Sequence, residues 1–190
     1  MTDPVVPPPV PAPLQPEGEP REPARHSAVW ALVHALEGAD PGTLAALRRI
    51  RTDALPPAFF RVAATTLDEH LPESGPSRER LETRWAVVVQ AMAMASESRL
   101  LGRVPLGKAL AEAGVAEMRV LRLLEAHDEL LADVVRTVVH QLVSKARTFS
   151  PTDLADLVLD DGSEHAERAR RRIARFFYST ATKAPDRRLP

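Results

Sequence analysis

The residues of this chain whose types and spacing suit chemistry are cations rather than nucleophiles. Between Pro105 and Asp128 the run PLGKALAEAGVAEMRVLRLLEAHD sets Lys108, Arg119 and Arg122 among Leu and Ala. Arg119 and Arg122 stand three apart, a spacing that clamps phosphates well and specifies little sequence. After Asp128, Arg136, His140 and Arg147 fall within about 40° of one another at helical periodicity. Leu131, Val134, Val135, Val138, Val139 and Leu142 take the opposite face. Near the C-terminus Arg168, Arg171, Arg172 and Arg175 share an arc of about 100°. Ala166, Ile173 and Phe177 lie opposite, and Arg170 falls on the apolar side, where it would snorkel. Four arginines on one stripe repel one another. Nearby acids (Asp160, Asp161 and Glu164) or a polyanion must offset that.

Catalytic constellations are missing. The six histidines, His26, His34, His70, His127, His140 and His165, share no HxxxH or HExxH spacing that would hold zinc. His127-Asp128 could orient a base, but no activated Ser accompanies it, and it reads as a helix linker. Cysteine is absent, which removes thiolate chemistry and disulfides and fits a reducing cytoplasm. No GxxxxGK[ST] or GxGxxG loop occurs. Asp156, Asp160, Asp161 and Glu164 do not match an EF-hand and read as solvated helix ends. The expectation is a protein that is not an enzyme, with no metal and no cofactor.

The elements that must position the cations are helices. Of 190 residues, 44% are hydrophobic, mostly Ala, Leu and Val, while aromatics are 4% and glycines number 8. No alternating run of strand length breaks the helical periodicity. The pattern predicts an all-α, compact multi-helix bundle of about eight or nine helices in two packed lobes, about 27–102 and 103–183. Residues 1–26 carry nine of the 18 prolines and are expected to be a disordered tail, as are residues 184–190. Ser27 is the expected first cap. Asp40-Pro41 starts a second helix running to Arg51, and Pro56-Pro57 opens a third. Ser77 should cap a long helix to about Leu101, with Leu81, Trp85, Val88, Val89, Met92 and Leu100 on its core face. Ser150-Pro151-Thr152-Asp153 and Ser163 cap the last two helices. No apolar run approaches the roughly 20 residues of a membrane span. Net charge is -1, but Arg168 to Pro190 holds eight Lys/Arg against one acid, so charge is segregated rather than absent.

Two readings of the Pro105–Asp128 segment stand side by side. Its length and Gly114 suit a DNA-reading helix-turn-helix of a transcriptional regulator. Yet Val120, Leu121, Leu123 and Leu124 cover nearly all faces of the second helix, which should therefore be mostly buried and leave little to reach base edges. The other reading is a basic helical scaffold for nucleic-acid backbone. A helical adaptor that binds no nucleic acid is a third class.

The order of four features resembles the small subunit (CasB family) of the type I-E CRISPR surveillance complex, Cascade. They are ADPGTLAALRRI with its double Arg, LPPAFFRV, VPLGKALAEAGVAEMRVLRLLEAHD, and a C-terminal half with an early Arg136 and a final Phe176-Phe177-Tyr178. The match spans about residues 27–180. It implies a non-catalytic, all-α subunit of an RNA-guided antiviral complex. In that family a head-to-tail pair of copies lies along the crRNA-bound assembly, beside backbone and large subunits. Basic residues of the pair hold the crRNA–target DNA heteroduplex and the displaced strand. Carried over, Arg48, Arg49, Lys108, Arg119 and Arg136 become candidates for phosphate contact, joined by His140 and Arg147 on the Arg136 stripe. Arg168, Arg171, Arg172 and Arg175 form a possible additional stripe. Glu125 departs from the basic pattern.

Overall fold

The structure is a computed structural model and describes residues 22–183. Among them are nine α-helices and no sheet. In chain order they are α1 (Glu22–Glu37), α2 (Pro41–Arg48), α3 (Pro57–Thr66), α4 (Pro76–Ser96), α5 (Leu106–Glu112), α6 (Glu117–Glu125), α7 (Asp128–Ser144), α8 (Pro151–Leu159) and α9 (Glu164–Lys183). The all-α expectation holds. The tails at 1–21 and 184–190 lie outside the described residues.

Local chemistry explains most of the helix starts. The Asp40 carboxylate accepts from the Thr43 amide at 3.0 Å and from its hydroxyl at 2.6 Å, with Pro41 at the first helical position. These bonds hold the Asp40 carboxyl below its usual range. Ser150 accepts from the Asp153 amide and starts α8, and the Ser163 hydroxyl accepts from the Ala166 amide to start α9. Gly114 takes a left-handed φ of 66° in the turn between α5 and α6, where a side chain would be strained.

Three helices have boundaries that differ from the sequence expectation. Helix α1 begins at Glu22, not after Ser27, so residues 22–26 belong to the folded body rather than to a tail. Proline is tolerated in a first helical turn, and His26 reaches Asp156 on α8 while Arg25 reaches Asp160 just past its end. Helix α2 stops at Arg48 because buried Gln90 donates to the carbonyls of Arg48 (3.1 Å) and Ile50 (2.9 Å), satisfying acceptors at its end. Helix α4 starts at Pro76 and stops at Ser96, since Arg99 takes φ 50° and turns Leu100 and Leu101 out of it. There the backbone pairs with the segment before α8: Phe149 donates to Leu100 and Gly102 donates to Phe149, each at 2.9 Å.

Helix α4 is the axis of the molecule. It is buried on every side from Trp85 to Ala93, not on one face only, and it packs against α1, α2, α7 and α8. A helix apolar all round belongs at the centre of a fold. One continuous core runs from Ala28 to Phe177 through both expected lobes. Its tightest crossing is α5 on α9. A Cβ added at Gly107 would lie 2.8 Å from the Ile173 carbonyl carbon and 2.9 Å from the Phe177 nitrogen. No helix of the described residues is long and apolar enough to cross a membrane.

Candidate nucleic-acid interface

Helix α7 buries its Leu/Val face and turns Arg136, Thr137 and His140 outward. The end of α2 and the last turn of α4 lie beside it. Together they frame an open groove of about 580 Å³, lined by Arg48, Met94, Glu97, Arg136, Thr137, His140 and Val143. Three of the expected binding residues, Arg48, Arg136 and His140, thus line one groove, although Arg48 lies far from the other two in sequence. Met94 and Val143 add apolar side chains to the lining. Arg48 is fixed: its Nε donates to the Ala93 carbonyl at 3.1 Å, and its Nη2 lies 2.8 Å from a Glu97 carboxylate oxygen. Arg136 pairs with Asp133 at 2.6 Å.

The remaining candidates are dispersed. Arg49 is exposed next to Arg48. Arg147 is exposed just beyond the end of α7. Arg119 on α6 donates to the Gln141 side chain and so stands beside α7. Lys108 is exposed on α5 with Glu112 at 3.7 Å, a loose pair four residues apart. Sequence reasoning missed Glu97 and Met94. Nothing local marks them, because α2 and α4 meet only in the fold. For Asp133 and Glu112 a local signal exists, their spacing of three and four residues from a cation.

The α9 stripe is divided by the fold. Arg171 and Arg175 are exposed, and no ion pair to either is seen among the described residues. Arg168 sits 3.9 Å from Glu164. Arg172, in contrast, turns toward α8 and contacts Asp153 at 3.1 Å and Asp156 at 2.8 Å. Burial works against its charge, but these two carboxylates outweigh it and raise its pKa further. Arg172 is therefore a structural cation, not part of an exposed stripe.

Arg170 does not snorkel. It is buried, and it donates to the carbonyls of Leu124 (2.9 Å) and Ala126 (2.8 Å) and to Asp161 (2.8 Å). Asp161 also accepts from the Asp128 amide and from the His127 ring, both at 2.8 Å. Burial pushes the Asp161 carboxyl up, yet Arg170, the Asp128 N–H and His127 together hold it below its usual value. Asp156 and Asp160 are buried too. Asp156 contacts His26 at 2.8 Å and Asp160 pairs with Arg25. Asp156, Asp160 and Asp161 are therefore the anionic half of an interior network, and only Glu164 of that cluster is exposed at a helix end.

Helix α6 is less buried than its leucines suggested. Val120 and Leu123 are buried and Leu121 and Leu124 half-buried, while Glu117, Met118, Arg119, Arg122 and Glu125 are exposed. A DNA-reading helix must approach phosphates on both flanks. Here Glu117 and Glu125 stand at the two ends of the exposed face, so the helix-turn-helix geometry lacks the matching charge.

The fold is similar to that of M. ruber CasB, at 23% identity over 83% of this chain and 96% of that one, with a TM-score of 0.60. It is similar also to a chain in the crystal structure of E. coli Cascade bound to a PAM-containing dsDNA target with a 32-nt spacer, at 23% identity over 82% of this chain and 97% of that one, with a TM-score of 0.58. No curated protein matches the sequence. The family model of CRISPR-associated protein Cse2 matches residues 43–178, which hold most of the body from α2 to α9, and the chain belongs to that family.

Proposed function

We propose that this chain is the small, non-catalytic subunit of a type I-E Cascade complex. Its exposed cations hold the backbone of the crRNA–target DNA heteroduplex and of the displaced strand, and a second copy of the chain and the backbone and large subunits are its neighbours. Within the family, the observation that carries this reading is the groove that Arg48, Arg136 and His140 line together with Met94 and Val143. R-loop formation exchanges one duplex for another at nearly equal free energy, so backbone contacts can tip it. Because the guide changes from one target to the next, useful contacts are indifferent to sequence. Arginines on rigid helices supply such a salt-sensitive term.

The test is target binding by the assembled complex carrying R48A/R136A in this subunit. Target affinity should fall alike for unrelated guides. The slope of log K against log salt should flatten by about 2, one unit for each lost phosphate contact. Unchanged affinity, or a loss that depends on the guide, would overturn the reading.

A further inference from the structure

The cations of the groove are not bare. Arg48 is anchored from two sides: Gln90 donates to its backbone carbonyl, and its own Nε donates a hydrogen bond to the Ala93 carbonyl. Its remaining contact is Glu97, and the two partners differ in freedom. The Arg48 side chain is 30% exposed and that of Glu97 is 69% exposed. The guanidinium cannot leave the wall, whereas the carboxylate can swing into water. Across the groove Arg136 faces Asp133, whose side chain is likewise the more exposed of the pair. The charge of the cationic walls is therefore largely offset in the free chain.

We propose that Glu97 is a displaceable carboxylate that gates the groove, covering the Arg48 guanidinium in the free chain and ceding it to a nucleic-acid phosphate. The proposal rests on reading the groove as a phosphate site. Surface ion pairs stabilise weakly and are screened by salt. A polyanion gains in addition from counterion release, so a phosphate within a strand can displace Glu97. An isolated anion in solution lacks that gain. Glu97 thereby sets a threshold: the groove accepts a strand held along the surface in preference to single phosphates.

The experiment uses the full chain and the variants E97Q, R48A and R48A/E97Q. Binding to a fluorescent mixed-sequence DNA strand and to an RNA–DNA duplex of the same length is followed by anisotropy at low and high salt. E97Q should tighten binding about two- to fivefold at low salt, and the gain should fade at high salt. R48A should weaken binding, and adding E97Q to it should restore nothing. If R48A weakens binding but E97Q does not tighten it, the gate fails and the groove reading stands. If E97Q tightens binding equally with and without Arg48, its effect is one of overall charge, and the gate fails again. If neither R48A nor E97Q changes binding, the groove reading falls and takes the gate with it. A lower melting temperature of E97Q without tighter binding would make Glu97 a strut between α2 and α4, which also overturns the proposal.

Discussion

Asp161 shows how much one buried side chain can organise. It gathers Arg170, the His127 ring and the Asp128 amide, and through Arg170 it reaches the carbonyls that close α6. D161N removes the buried one of the two carboxylates that Arg170 contacts and leaves only the half-exposed Glu167, at 3.2 Å. A loss of about 3 kcal/mol in urea unfolding follows from breaking one side of a buried pair. The pH dependence has a definite sign. The Asp161 carboxyl is held low in the folded chain, while an unfolded Asp titrates near about 3.9. Its contribution is therefore complete above about pH 4 and fades as pH falls through the folded value. Wild type and D161N should differ at neutral pH and converge in acid, read from urea midpoints across that range. Of this network the sequence displayed the charges but not their pairing. Arg25 and Asp160 are 135 residues apart, and a cluster of acids at a helix end looks solvated until its distant partners are known.

Helices were the most legible level, since their signals are local. Asp40-Pro41, Ser150-Pro151 and Ser163 start helices as their chemistry dictates. The ends of α2 and α4 were not legible, because Gln90 and Phe149 set them from remote elements. The α5–α9 crossing belongs to the same hidden class. Gly107 is buried in a short helix, and only the fold shows that the α9 backbone lies against it. G107A inserts a methyl group where Ile173 and Phe177 backbone atoms cannot yield as a side chain would. It should cost about 2–3 kcal/mol, at the upper end of overpacking effects. The thermal transition of the purified chain would register this, and an unchanged transition would show that the two helices can part freely.

For the molecule as a whole, composition read the class of fold correctly, while net charge does not say where the charges lie. A chain of net charge -1 carries some of its acids inside, on α8 and in the turn that follows it, where they hold Arg25, Arg170 and Arg172, and this leaves other arginines on the surface. The first turn of α1 is part of that interior arrangement. A chain trimmed to begin at Ser27 should therefore melt below one trimmed to begin at Glu22. Loss of the Arg25 partner at a buried Asp160 is worth about 2–3 kcal/mol, or roughly 5–10 °C for a chain of this size. Equal melting temperatures would show that the contact contributes nothing. The Arg170–Asp161 junction carries a further consequence, which concerns descent rather than folding. Either replacement alone removes the buried partner of an interior charge, Glu167 being a half-exposed contact of Arg170, while a matched apolar pair of similar volume is tolerable. Lineages should hence keep both residues or exchange both. A route between those states passes through a crippled intermediate unless one of the two changes is first compensated elsewhere.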